Sequence, residues 1–289
     1  MLNLFMNLHA LRTFLVIIDT GSLVRASEVL NVTQSTVTAR LKALEDDLGQ
    51  TLLIRNKSGA TLTAAGVNLQ RYADTIVNLW QQARQHTALP DGMSGICNLA
   101  CEFDLWPGLG DRFARDLMEQ FPDLGVSIWL GSQMDVAKWL SEGKSDVAFT
   151  YRSAYPSEHA QIALPDDELV LVSTDQKSPM RFDPGYVYVD AGQAFGRDHA
   201  VFYADADTAR ISFGNATTAL DHILGQGGSA YLPWRTVEDA VKEGKLFKLP
   251  KAPTFSRPVF MTFNKRLKGE SDWFHKALGW LHDGKTRSI

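Results

Sequence analysis

The sequence predicts an α plus α/β protein: an N-terminal winged helix-turn-helix, one long helix, and a C-terminal α/β region in two lobes. Three observations lead there. The first 63 residues carry short amphipathic patterns with tight joints and then a hairpin pattern; residues 64–90 hold one helical pattern; from residue 91 strand and helix patterns alternate. A length of 289 residues suits two folding units.

The elements follow in order. Leu11, Phe14, Leu15 and Ile18 recur at helical spacing until Gly21 breaks the pattern. Ser22 is a good N-cap for a second helix, with Leu23, Ala26, Val29 and Leu30 on one face. A third helix starts after Thr33, carries Val37, Leu41, Leu44 and Leu48 on its apolar face, and ends at Gly49. Thr51 to Arg55 and Ala60 to Thr63 then read as two strands around an Asn56–Gly59 turn, a wing that carries Arg55 and Lys57. Thr63 can cap the long helix, which Pro90-Asp-Gly stops at about Leu89. Leu69, Tyr72, Ile76, Leu79 and Ala83 form a seam of heptad spacing, which either pairs with a second helix or lies on a domain.

Beyond residue 93 the strand candidates are Ile96 to Cys101, Gly125 to Leu130, Asp146 to Thr150, Leu169 to Ser173, Tyr186 to Val189, Ala209 to Phe213, Ser229 to Leu232 and Pro258 to Phe263. Helical patterns between most of them imply parallel sheets covered by helices, in two subdomains. Composition narrows the function classes. With 45% hydrophobic and 21% charged residues the chain reads as globular, not disordered. No apolar stretch is long enough to span a bilayer, and the N-terminus lacks the basic segment and cleavage site of an export signal, so a cytoplasmic location is expected. Two cysteines are too few for a disulfide framework. Cys97 and Cys101 lie four apart on a strand, about 13 Å, beyond the roughly 7 Å limit for a disulfide. The seven histidines are scattered without metal-ligand spacing, and no nucleophile elbow or phosphate-loop motif is present, so neither metal nor cofactor is expected.

The net charge of −4 is uneven, +2 over residues 1–89 and −6 over the rest. That bias alone decides nothing, but helix, turn, helix and basic wing is the architecture that places a helix in the DNA major groove. Thr33, Gln34, Ser35, Thr36 and Thr38 put short polar side chains and free N–H groups at the start of the third helix, where base edges and phosphates are reached. Arg40, Lys42, Arg55 and Lys57 are the candidate phosphate contacts. The alternative for each is a helix cap or a solvated charge.

Here a resemblance enters. Asn7-Leu-His-Ala-Leu11-Arg12-Thr-Phe14, Gly21-Ser22, Ala26, Leu30-Asn-Val-Thr33-Gln34-Ser35, Val37-Thr38, Leu41-Lys42-Ala-Leu44-Glu45, Leu48-Gly49, Leu52, Arg55 and Leu62-Thr63-x-Ala65-Gly66 resemble the DNA-binding domain of the LysR-type transcriptional regulators. Pro122, Leu140-x-x-Gly143-x-x-Asp146-Val-Ala, Gly225-x-Gly227-Gly228 and Leu232-Pro233 are similar to that family's periplasmic-binding-protein-like effector domain. The resemblance implies a DNA-binding domain at 1–63, a linker and dimerisation helix at 64–90 and an effector domain at 91–289, with one lobe at about 91–163 and 260–289 and the other at about 164–259. It implies that Gln34, Ser35, Thr36 and Thr38 face the groove and that the long helix pairs dimers, usually within tetramers. Leu69, Tyr72, Ile76 and Leu79 are the candidate dimer contacts, and a twofold dimer should prefer an interrupted inverted repeat in double-stranded DNA. Ser35, Ala39 and Leu53 depart from the family's usual Pro, Arg and Phe, so base preference does not carry over. Translation from Met6 is an alternative start.

In a two-lobed α/β domain a ligand is expected at the carboxyl ends of the strands. Those ends nominate Ser132, Gln133, Asn215 and Thr217 as hydrogen-bonding groups, Tyr151 beside them, Trp106 as a wall and Arg152 as a grip for a carboxylate. Glu102 and Asp104, turned inward, would favour a cationic ligand or a neutral polyol instead. The leading expectation is a sequence-specific, effector-responsive transcription regulator, not an enzyme. A cytoplasmic solute-binding protein with dimerising N-terminal helices and an α/β enzyme remain as alternatives.

Overall fold

The computed structural model describes residues 7–56, 59–152, 159–180, 183–203, 209–270 and 272–282. They divide into two compact units, Met1–Pro90 with Ser141–Lys144, and Asp91–Leu140 with Ser145–Ile289.

In the first unit, α1 (Leu8–Thr20) starts where Asn7 Oδ1 accepts from the amides of His9 and Ala10, and ends at Gly21 in the left-handed region. α2 (Leu23–Leu30) is capped by Ser22 and closed by left-handed Asn31, and α3 (Gln34–Leu48) runs from Thr33 to left-handed Gly49. Their apolar faces meet in one core of Leu11, Phe14, Ile17, Ala26, Val37, Leu41 and Leu44, completed by Leu52 and Leu53. β1 (Leu53–Asn56) and β2 (Gly59–Leu62) pair antiparallel as the wing. Glu45 Oε1 accepts from the amides of Leu52 and Leu53 at 2.8 and 3.3 Å, which fixes where the wing leaves α3. Ala60 N donates to Gly21 O at 2.9 Å. A Cβ on the neighbouring Gly59 would stand 2.5 Å from that oxygen, so only glycine lets the wing approach the turn. α4 (Ala64–Thr87) then begins at Thr63, whose Oγ1 accepts from Gly66 N at 3.0 Å.

The second unit contains β3 (Gly95–Glu102), α5 (Asp111–Gln120), β4 (Leu124–Gly131), α6 (Gln133–Ser141), β5 (Val147–Thr150), β6 (His159–Ser173), β7 (Tyr186–Val189), α7 (Gln193–Phe202), β8 (Ser212–Phe213), α8 (Ala216–Gln226), β9 (Ser229–Pro233), α9 (Trp234–Lys242), β10 (Phe247–Lys248), β11 (Phe255–Asn264), α10 (Leu267–Glu270) and α11 (Asp272–His282). Among the described residues the strands follow the order β4-β3-β5-β11-β6-β9-β7-β8, with β10 beside β6. The expectation of parallel sheets needs correction. β3 is parallel to β4 and β5, and β7 to β8 and β9, but β6 and β11 run antiparallel to each other and to their outer neighbours. These two long strands join both lobes into one mixed sheet.

Each half has its own core. Cys97, Leu99, Leu117, Phe149, Met261, Phe263 and Phe274 pack together in the first lobe. Val170, Val172, Val187, Ile223, Leu232 and Val237 fill one side of the second, and Phe195, Tyr231 and Phe255 the other. Between the halves the β6–β11 register shifts from Arg257↔Asp167 to Val259↔Leu164, passing over Pro258 on one strand and Pro165 and Asp166 on the other. Neither proline has an N–H to give the ladder, so both fall where it is interrupted. Two further expectations change. The strand read at Leu169 to Ser173 is only the end of β6, and that at Ala209 to Phe213 reduces to Ser212–Phe213.

Candidate nucleic-acid interface and ligand cleft

Because Val37, Leu41 and Leu44 are buried, the helical period turns Ser35, Thr38 and Lys42 to the other side of α3, while Gln34 stands at its first position. Gln34, Ser35 and Lys42 are exposed, and Thr36 and Thr38 half-buried. Thr33 Oγ1 lies 2.8 Å from both Ser35 Oγ and Thr36 Oγ1 and accepts from Thr36 N at 3.2 Å. The three hydroxyls therefore form one hydrogen-bonded cluster at the helix start, where free N–H groups give a partial positive charge. Arg40 does not join this face: its Nη1 donates to Thr13 Oγ1 of α1 at 3.5 Å, which makes it a strut between helices. Arg55 stands in β1 opposite Ala60, and Lys57 lies outside the described residues.

The seam on α4 divides. Leu69 and Ile76 pack on the core of their own unit beside buried Ala73, whereas Tyr72 and Leu79 are 59% and 45% exposed. Trp80, not in the seam, is 52% exposed as well.

In the second unit the expected ligand residues separate. Ser132 is taken up at the start of α6: its Oγ and N both donate to Asp135 Oδ2, at 2.6 and 2.9 Å, which holds the Asp135 carboxyl below the usual range. Gln133 and Thr217 are exposed. Asn215 caps α8 through Thr218 N. Trp106 is half-buried and packs on the first lobe's core. Arg152, expected to grip a carboxylate, is exposed, with its amide on Thr150 Oγ1 and its carbonyl on Gln161 Nε2.

Of these residues Tyr151 stands in a charged cluster with Glu102 and Asp104, which the strand ends also nominated, and with Asp167, Arg235 and Arg257, which sequence reading missed. Its hydroxyl donates to Asp167 Oδ2 at 2.6 Å, and the Arg257 guanidinium lies 3.3 Å from its ring centroid. Arg235 Nη2 pairs with Asp167 Oδ2 at 2.5 Å and also donates to Asp104 O at 3.0 Å. Arg257 Nη1 pairs with Asp104 Oδ2 at 3.1 Å. Glu102 Oε1 accepts from Thr150 Oγ1 and Tyr151 N at 2.6 and 2.9 Å. Burial pushes the Glu102 and Asp167 carboxyls and the Tyr151 phenol up, each against the pull of an arginine. Gly108 makes room for this arrangement: its φ is +75°, and a Cβ there would meet Arg235 Cγ at 2.6 Å. Asp166-Asp-Glu168 inside an apolar strand and Arg257 before Pro258 were the signals available, since a charge in a buried strand needs a partner.

Residues 8–67 match the model of a bacterial regulatory helix-turn-helix protein of the lysR family, and residues 90–278 match that of the LysR substrate binding domain. The HTH-type transcriptional regulator HdfR of Escherichia fergusonii is 28% identical over 258 residues, covering 88% of this chain and 91% of that one. Two solved structures share the fold. They are ArgP from Mycobacterium tuberculosis, with TM-score 0.61 and 17% identity over 95% of each chain, and a full-length OxyR variant from Pseudomonas aeruginosa, with TM-score 0.58 and 20% identity over 96% of this chain and 97% of that one. With both family models in register along the chain and the winged helix-turn-helix joined to a two-lobed effector fold, this protein belongs to the LysR family of transcriptional regulators, which bind DNA and a small-molecule effector and assemble as oligomers.

Proposed function

We propose that this regulator reads double-stranded DNA with the first turns of α3, Gln34, Ser35 and Thr38 reaching base edges and Lys42 a phosphate. The observation that carries this reading is the two-sidedness of α3: Val37, Leu41 and Leu44 anchor one side while the polar Ser35, Thr38 and Lys42 stay on the other. Residues 1–63 bind DNA, 64–90 assemble the oligomer and 91–289 respond to an effector. The outward residues of α4, Tyr72, Leu79 and Trp80, make the dimer contact, since a stripe of that size is otherwise left in water. Twofold pairing then favours an interrupted inverted repeat, and pairing of dimers gives a tetramer. The effector acts between the lobes, at Tyr151 and the charged groups around it. The chain works on DNA in the cytoplasm and catalyses no reaction. Among the described residues no helix is long and apolar enough to cross a membrane.

The test is to pass sheared genomic DNA over the purified protein at physiological salt and sequence what is retained. A small set of fragments sharing an inverted repeat is expected. Retention with no preference over bulk DNA would overturn the reading.

A further inference from the structure

A carboxylate is held best where a helix N-terminus and an arginine converge, and such a place exists between the two lobes. α8 presents its first amide there, and Arg257 presents its guanidinium from the crossing strand. The position is filled by the chain itself. Ala216 N donates to Asp104 Oδ1 at 2.6 Å, and Arg257 Nη1 meets Asp104 Oδ2 at 3.1 Å. Each carboxylate oxygen therefore has its own charge-complementary partner. Asp104 belongs to the turn after β3 in the first lobe, α8 to the second, and Arg257 to the strand that joins them. The side chains of Asp104 and Arg257 are only 7% and 15% exposed, so water competes little for either. Arg235 adds a third tie, from α9 to the Asp104 carbonyl.

We propose that Asp104 is a tethered anion occupying a carboxylate receptor made by the α8 N-terminus and Arg257, so that the lobes are bridged without a diffusible anion and a free carboxylate binds there only when Asp104 is gone. The regulatory meaning of this bridge rests on the reading of the interlobe cleft as the effector site; the occupancy itself does not. A regulator built this way ties its lobes together by its own charge, and an effector acts by displacing or reinforcing Asp104 instead of supplying the missing anion.

The experiment is chemical rescue in the full-length chain. Asp104→Ala removes the carboxylate, and formate supplies the missing atoms, because alanine plus formate has the heavy atoms of aspartate. Calorimetric melting is followed in sodium formate against sodium chloride at equal ionic strength. The variant is expected to melt several degrees below the parent and to regain most of that loss as formate is raised, with saturation. The parent should stay unmoved, and Asp104→Ala with Arg257→Ala should show no rescue. If Asp104→Ala does not fold, Asp104→Asn serves, since it keeps an acceptor for Ala216 N and loses only the charge facing Arg257; it should melt below the parent. No formate rescue of Asp104→Ala, equal formate stabilisation of the parent, or an Asp104→Asn melting point equal to the parent's would each overturn the proposal. The two readings fail separately. Carboxylate binding by the parent that disappears in Arg257→Ala removes the tether and leaves the effector cleft standing. Rescue in the variant, with no small molecule altering DNA retention by the parent, does the reverse.

Discussion

Arg235→Ala removes a guanidinium that holds Asp167 Oδ2 at 2.5 Å and Asp104 O at 3.0 Å. The pair's side chains are 19% and 6% exposed, which places it nearer the buried than the surface regime. Removing one partner of a buried pair costs about 3–5 kcal/mol, against about 0–1 kcal/mol for a surface pair, because the other charge is left without compensation. Tyr151 still donates to Asp167 at 2.6 Å, so the low end applies, about 3 kcal/mol. For a unit of this size that lowers Tm by about 6–12 °C. The pH dependence fixes the cause. Burial already raises the Asp167 carboxyl above its usual range against the pull of Arg235, and losing Arg235 raises it further. A raised folded-state carboxyl takes its proton before the unfolded chain does. The unfolded chain is common to variant and parent, so the deficit should shrink as pH falls through the variant's folded value and level off below the parent's, leaving the part due to the lost bond to the Asp104 carbonyl. Scanning calorimetry of the full-length chain from neutral to mildly acidic pH reads both quantities. Adding Asp167→Asn removes the stranded charge and should recover part of the loss even at neutral pH. A Tm equal to the parent's, or a deficit indifferent to pH, would refute the argument.

Gln34→Ala is expected to relax base preference by about 1–3 kcal/mol at one position, while Lys42→Ala weakens binding to every sequence and flattens its salt dependence; titrations on specific and random duplexes at several salt concentrations separate the two. Tyr72→Asp with Leu79→Asp should reduce the assembled mass seen by light scattering and leave the melting of the winged domain unchanged. Ile76→Asp should instead unfold that domain, since Ile76 packs on its core. Cys97 and Cys101 are buried thiols whose ionisation burial pushes well up, so iodoacetamide at neutral pH should leave both unmodified until the chain is denatured, as counted by mass spectrometry.

The first unit was legible because its information is local. Ser22 and Thr33 are caps, Gly21 and Gly49 are stops, and the residues between follow one helical period, so these boundaries can be read within a few positions, whereas the Asn7 cap of α1 was not read. Most strands of the second unit could be located, but β6 and β8 were misjudged in length, β10 was missed, and the strand directions were not readable. β6 was taken only at its end because Pro165, Asp166, Asp167 and Glu168 interrupt the apolar run, and without its full length the antiparallel crossing with β11 is invisible. The ligand residues fared worse for a related reason. Ser132 and Asn215 have the polarity of ligand groups, yet each spends it on the helix that it caps. The charges that do converge come from positions 104, 167, 235 and 257, and no spacing rule connects residues brought together by sheet topology.

The crossing strands also impose an order of assembly during synthesis. The first lobe's core draws on Leu99 and Phe149 near its beginning and on Met261, Phe263 and Phe274 near its end, with the whole second lobe inserted between. On the ribosome the second lobe emerges complete before the first can close, so the early strands wait with an exposed apolar edge until β11 and α11 arrive. That interval leaves the half-made first lobe open to chaperones, and a frameshift or stop after residue 255 leaves the second lobe nearly whole while depriving the first of the strand between β5 and β6.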